Sequence, residues 1–598
     1  MFQDGSSNQL CGGKKLPKRG FGIISLAIIA LSIVLMYGRS VGYDGDLWDD
    51  ILYLNIFDRG TSVGELLSGM WRPVLGLRSP VVVFSFWIDR LIAPPGKMIE
   101  IAHAGNILWF VLSGWGLYAV FRSIRISGVK GYSRLPEGWA SAGVLLWCLH
   151  PQRVESVVWI SERKDVLLAC CTWWAWFLFI RAFRRKRFSA AAFGLFVLSF
   201  GIKPMLILFP AVLCCWIYWE TGSMERRSYR PLIPYAAVSV TVFIMNLGIF
   251  RGDPGGSGGV TWERFTVLAW NLGNYGTTAL LPTGFGPFHP FFPFPGWRNF
   301  LIVGVILLVW LWGAIRFPNG RRLLVRGGGA AIVCFLLFLA PVSGIVRIGN
   351  ADWADRYNLL PSAVVIFALT VMTFAMRHSP RRMVKYASVF GFAGLILWSV
   401  FSCAGYVPVW HDSKTVIARV LAEPHPNHRV IFLAAVRAML VGDESGYEVL
   451  RERLPLAEHL SGSDAADVKI FLKSMRGAWA FRRKDRDAGL VLTEDLLNDP
   501  DWRRIARISD GFPQMLLTEA AQEHLQRGNI RAAADVFEKL ACCYPGEMEE
   551  FFYRGVTAFL RRDFVGAESQ FEKARERAPG DTAVLHYLEM CRREKAAL

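Results

Sequence analysis

Through the first two thirds of the chain, long apolar runs alternate with short basic segments, and this pattern stops near Tyr406. A helix that crosses a bilayer needs about 20 mostly apolar residues. Runs of that kind predict eleven spans, at roughly 20–40, 99–121, 138–149, 164–183, 188–203, 204–220, 231–250, 298–316, 326–347, 358–376 and 385–405. The run at 138–149 and the pair around Lys203-Pro204 are short. A further apolar stretch, 266–282, is expected as a re-entrant or surface helix, because a span there would put the next basic loop on the wrong side. Beyond 405 the residues are mixed and charged, and no run is long enough to span. The expected fold class is all-α: a polytopic transmembrane bundle, 1–405, followed by a soluble helical domain, 406–598.

Composition agrees with a membrane chain. Of 598 residues, 53% are hydrophobic, and the mean hydropathy is +0.31. The first run, 21–37, follows a basic segment as a signal peptide does, but its core is long, it lacks an A-x-A-like cleavage site and more spans follow. It reads as an uncleaved first span. The net charge of +18 invites a nucleic-acid reading. Its placement argues for topology instead, because the cations cluster between spans: Lys14, Lys15, Lys18 and Arg19; Arg122, Arg125, Lys130 and Arg134; Arg184 to Arg187; Arg226, Arg227 and Arg230; Arg316, Arg321 and Arg322; Arg377, Arg381, Arg382 and Lys385. Such loops mark the cytoplasmic face. With a cytoplasmic N-terminus all of them fall inside. Segments 41–98, 150–163, the Lys203 turn, 251–297, 348–357 and everything after 405 then fall outside. The eleven cysteines show neither metal-like spacing nor a disulfide framework, and Cys542-Cys543 read as packing residues.

The outer segments hold the candidate chemistry. Tyr43-Asp44-Gly45-Asp46-Leu47-Trp48-Asp49-Asp50 puts four carboxylates within seven residues, either a general base or metal-binding pair, or a solvated acidic loop. In the stretch from His150 to Asp165, Arg163 and Lys164 are placed to clamp a phosphate, with Glu155 and Glu162 pairing with them or holding a sugar. The plain alternative is a salt-bridged helix end whose long side chains snorkel. Lys203 is either a snorkelling residue or a ligand for an anionic head group. His103 and Asn106 lie one turn apart and share a helix face. His289 sits in an aromatic, proline-rich surface segment, and Asp352-Trp353-Ala354-Asp355-Arg356-Tyr357 precedes the tenth span. Cations, carboxylates and histidines at one membrane surface suit a lipid-phosphate donor.

The tail is periodic. Ala533, Phe537 and Pro545 recur 34 residues later as Ala567, Phe571 and Pro579, and Ala521 with Gly555 and Leu525 with Phe559 keep the same spacing. A weaker copy, Ala488, Leu492 and Pro500, lies 45 residues before the next. The period and the A-x-x-x-F…P pattern resemble tetratricopeptide repeats, which stack into an α-solenoid with a concave binding face.

Several segments, in order, resemble the transmembrane and tetratricopeptide-repeat O-mannosyltransferases and their bacterial relatives. They are Trp48-Asp49-Asp50, Trp71-Arg72-Pro73, His103 with Asn106, the block from Leu149 to Asp165, Lys203-Pro204-Met205, Leu281-Pro282 with Phe288-His289-Pro290, Ala354-Asp355-Arg356-Tyr357 and Trp410-His411-Asp412-Ser413. The sequence departs from the family pattern at Arg153, where a histidine is usual, and at Phe288-His289-Pro290, which replaces a tyrosine-containing segment. The resemblance implies a GT-C-like membrane fold, a polyprenyl-phosphate sugar donor and an acceptor hydroxyl at the outer face. It implies Asp49 as general base, with Asp50 supporting it or taking that role, and Arg163, Lys164, Lys203 and Arg356 on the donor phosphate. His103, Asn106, His150, Glu155, Glu162, Asp165, Asp355 and Tyr357 would shape the site. A divalent cation beside Asp49-Asp50 is compatible with that pair, though no sequence feature demands one. The expected partners are the sugar lipid, an acceptor protein or glycan on the repeats, and the membrane. The expected location is a bacterial inner membrane with the tail on the periplasmic side. Two other functions compete: a non-catalytic membrane-anchored repeat scaffold, and a polyprenyl-lipid transporter, which would carry polar residues at mid-span.

Overall fold

Backbone inside hydrocarbon must satisfy its own N–H and C=O groups, and a helix does so within one segment. A computed structural model describes residues 20–45, 47, 49–56, 60–71, 74, 78–126, 132–251, 262–289, 301, 304, 308, 327–345, 353–423, 427, 430, 431, 434, 438, 463–500, 502, 503 and 512–597. Among them the regular structure is helical, with no strand. Six helical segments are long and apolar enough to cross a membrane: Gly22–Gly42, Met98–Ser123, Ile160–Arg184, Pro204–Thr221, Asp355–Met376 and Arg382–Trp410. The chain is an integral membrane protein.

Eleven spans were expected, and the described residues give fewer. The expected spans at 188–203 and 326–347 are the shorter apolar helices Ala190–Phe200 and Gly329–Val342. The run at 138–149 is a helix of 12 residues, Glu137–Cys148. The segment 298–316 lies largely outside the described residues. The stretch expected as a re-entrant or surface helix holds the helix Trp262–Thr278. Its Asn271 Nδ2 donates to the Ser343 carbonyl at 3.0 Å, and its Tyr275 hydroxyl meets the Ala354 backbone, so these two side chains are buried against other segments.

Contacts divide the chain into two units. The first comprises Met1–Asn246, Thr261–Pro287 and Phe294–Arg419, and the second Leu247–Val260, Phe288–Pro293 and Val420–Leu598. The division at Arg419 falls after the expected boundary at 405. Trp410 is buried against Trp159, with ring centroids 5.7 Å apart, and the Asp44 N–H donates to the His411 carbonyl at 3.0 Å. Those contacts bind the segment after the last span to the bundle.

In the first unit, Met98–Ser123 packs along Arg163–Arg184. Ser113 Oγ donates to the Val166 carbonyl at 3.0 Å and Trp174 Nε1 to the Leu112 carbonyl at 3.0 Å. The far ends of these two helices carry basic residues. There Arg184 forms a two-pronged pair with Glu220 at 2.7 and 2.9 Å, which Arg125 joins at 3.3 Å.

The second unit is a series of antiparallel helix pairs. Ser463–Arg482 pairs with Arg486–Leu497, Phe512–Gln526 with Ile530–Ala541, and Met548–Leu560 with Phe564–Arg577, before Thr582–Ala597 closes the series. The turns of the last two pairs repeat in detail. Gly528 and Arg562 both adopt positive φ, and Asn529 and Asp563 each start the second helix. The earliest pair has the same turn at Lys484-Asp485. Counting from the cap, Gly489 takes the place of Ala533 and Ala567. The expected match to Ala488 is one residue out of register. A Cβ at Gly489 would sit 2.8 Å from the Phe481 ring, so the small residue is required there.

Candidate functional site

The block 150–165 is built from short pieces. His150 caps a 3-10 turn, its Nδ1 accepting the Gln152 N–H at 3.4 Å, and Pro151 starts the turn where no N–H is needed. One and a half turns of helix, Val154–Val158, then lead through a second 3-10 turn, Ile160–Glu162, into the long helix from Arg163. Broken backbone of this kind persists at a membrane only when protein surrounds it. Asn106 supplies that support: its Nδ2 faces the carbonyls of Val157, Trp159 and Ile160 at 3.4, 3.2 and 3.3 Å.

The result is a charged cluster assembled from three distant stretches. Glu162 Oε1 meets Lys164 Nζ at 3.1 Å and Arg356 Nε at 3.4 Å. Glu155 pairs with the Arg356 guanidinium and also accepts the Arg356 backbone N–H at 3.0 Å. Asp165 Oδ1 holds Lys203 Nζ at 3.0 Å. The Tyr357 ring lies 5.1 Å from the Arg356 guanidinium and 5.5 Å from Lys203 Nζ. The two signs are layered. Side chains of Glu155, Glu162 and Asp165 are 1–4% exposed, whereas those of Lys164, Lys203 and Arg356 are 12–14% exposed. The carboxylates lie beneath, and the cations form the accessible face.

Asp49 and Asp50 divide their roles by burial. Asp50 is fully buried, its Oδ1 accepting the Ser161 N–H at 2.8 Å. Burial raises its carboxyl to about 8, against the pull of the Ser161 bonds. Asp49 is half-buried and lies within electrostatic reach of Lys164. Glu155, outside the spans, is raised by burial to about 7 even beside Arg356.

Arg163 corrects the sequence reading. It is fully buried, paired with Asp89, and donates from Nε to Asn106 Oδ1 at 2.8 Å and from Nη2 to the Ala102 carbonyl at 2.6 Å. Phe86 covers its guanidinium at 4.0 Å. Its donors are committed within the fold, so it is a strut between helices and is not exposed to a phosphate. Gly105 makes room for it, since a Cβ there would stand 2.8 Å from Nη2.

The remaining candidates fall around the cluster. His103 is buried against the backbone of Asp44 and Val158. His150 is buried too, and burial keeps its imidazole neutral. Asp355 Oδ2 accepts the Gly286 N–H at 3.0 Å, which brings in the segment after Leu281-Pro282. Arg153, the departure from the family pattern, is fully buried beside Trp147 and donates to Ser362 Oγ at 2.9 Å. His289 belongs to the second unit, where its carbonyl accepts Asn427 Nδ2 at 2.8 Å. Asp46, Trp48, Arg72, Pro73, Pro290 and Asp352 lie outside the described residues. Among the described residues, Asp49 and Asp50 do not belong to a three-ligand metal group. No family model, curated protein or solved structure matches the chain.

Sequence reasoning missed Asp89, Gln152, Ser161, Tyr275, Asn358 and Ser362. Asn358 Nδ2 bridges Gln152 Oε1 and the Tyr275 carbonyl, both at 3.0 Å, and so ties the 150s block to the start of the 359–376 helix. Asp89 had a signal: a lone carboxylate in the apolar run 80–92 must find a partner.

Proposed function

We propose that the chain is a membrane glycosyltransferase that moves a sugar from a polyprenyl-phosphate donor to an acceptor hydroxyl. The layered cluster carries this reading. Three cation ends held by buried carboxylates suit a phosphate, which exchanges water for fixed, charge-assisted donors. Asp49 stands beside that face and acts as general base. Asp50, largely protonated at neutral pH, holds Ser161 and is not the base. Deprotonating the acceptor in a single displacement inverts the anomeric centre. The wider reading places eleven spans in a GT-C-like bundle, a tetratricopeptide-repeat solenoid that receives an acceptor protein or glycan, and a bacterial inner membrane with this face periplasmic. The resemblance in the Asp49-Asp50, 149–165 and 354–357 segments supports it.

The test is sugar transfer from radiolabelled polyprenyl-phosphate sugars in membranes carrying Asp49→Asn or Asp50→Asn. Loss of a general base costs about 10²–10⁴-fold, and that loss is expected for Asp49→Asn alone. A wild-type rate in Asp49→Asn would overturn the assignment. If no donor supports transfer by the wild type, the chain is the membrane-anchored repeat scaffold instead.

A further inference from the structure

Outside the charged cluster, one group of side chains combines an imidazole with two carboxylates drawn from opposite ends of the membrane unit. Ligand atoms of Asp44, His411 and Asp412 all lie within 4.8 Å of one another. The backbone is fixed around them. The Asp44 N–H donates to the His411 carbonyl at 3.0 Å, and the Tyr43 ring packs on the His411 ring with centroids 4.8 Å apart. Buried Trp410, the preceding residue, packs against Trp159. His411 Nδ1 and Asp412 Oδ2 are 3.0 Å apart, and Asp412 Oδ1 accepts the Thr415 N–H at 2.7 Å.

Helix capping accounts for Asp412 alone. It does not explain why Asp44 is brought to the same point, with no side chain bonded to its carboxylate among the described residues. Two carboxylates this close repel each other. A divalent cation held between them compensates both charges.

We infer that Asp44, His411 and Asp412 form a divalent transition-metal site, with Zn²⁺ its best fit. One imidazole and two carboxylates make a three-ligand set that leaves a position open to solvent. Ligand atoms around a tetrahedral zinc are roughly 3.3 Å apart, so the observed group needs only side-chain adjustment to close on an ion. The site is separate from Asp49-Asp50 and does not rest on the proposed transferase activity. Its effect would be to clip the segment leading into Asp49 to the end of the last span.

The experiment uses the full chain in lipid nanodiscs, stripped with chelator and titrated with Zn²⁺ and, separately, Mn²⁺ at pH 7.5. The readouts are calorimetric binding and melting temperature. The wild type should bind one Zn²⁺ and melt higher with it. Asp44→Asn and His411→Ala should each weaken binding at least about tenfold. Asp44 is exposed and asparagine has the same shape, so that variant should melt like the metal-free wild type. Absence of a zinc site in the wild type, or equal binding by all three proteins, would overturn the inference.

Discussion

Replacing Arg163 by methionine tests the strut directly. Methionine keeps the apolar stem and removes the guanidinium. Left behind are the Asp89 carboxylate, the Asn106 Oδ1 and the Ala102 carbonyl, all of which Arg163 holds in the native fold. Breaking one side of a buried ion pair costs about 3–5 kcal/mol. The lost packing on Phe86 adds about 1 kcal/mol. Asp89 moderates the sum: burial already raises its carboxyl and Arg163 pulls it back, so without Arg163 it takes up a proton. The expected destabilisation is therefore about 3 kcal/mol, the lower end of the range. The double variant Arg163→Met/Asp89→Asn should recover part of it, because the orphaned charge is gone. The assay is thermal unfolding in nanodiscs, read beside donor KM. A melting temperature equal to the wild type's, with a raised donor KM, would refute the strut and restore Arg163 as a phosphate ligand.

Two further outcomes are expected. Asp50, raised by burial to about 8 from about 3.9 in the unfolded chain, contributes stability that is complete below about pH 4 and lost as pH rises through 8. Asp50→Asn keeps the acceptor for the Ser161 N–H but does not titrate, so the wild type should lose stability relative to it between pH 5 and 8.5, by at most about 1.4 kcal/mol per pH unit; parallel melting curves across that range would contradict the buried, neutral acid. In the second unit, a Cβ at Gly555 would lie 2.6 Å from the Phe571 ring. Gly555→Ala should cost about 1–3 kcal/mol by overpacking, seen as a lower melting temperature for the second unit's transition in the full chain, and an unchanged transition would show that Phe571 can move aside.

Much of the bundle was legible because burial in lipid demands long apolar runs, and the runs are plain in the sequence. The convergence of Glu155, Glu162, Lys164, Lys203 and Arg356 was legible in outline, since each is a charge beside an apolar run and must be paired. Arg163 was not. It adjoins Lys164 in sequence, but neighbours on a helix point about 100° apart, and the 3-10 turn before Arg163 sets which of the two faces the cluster. The partner of Asp50 was invisible for another reason: it is a backbone N–H, and composition carries no trace of it. The repeat was readable where Ala533 and Ala567 keep their 34-residue spacing. It slipped by one residue at Gly489, where a small residue with no methyl group met the same packing demand.

The contacts that complete the charged cluster join residues made far apart in time. Glu155 waits for Arg356, and the backbone of Asp44 waits for His411. During synthesis from the N-terminus, the acidic segment and the 150s block emerge long before those partners exist. Until then Glu155 lacks its cation, while Glu162 already has Lys164 and Asp165 has Lys203. The cluster is therefore complete only once residue 356 has been made, and a chain halted before it would leave Glu155 buried without its partner cation.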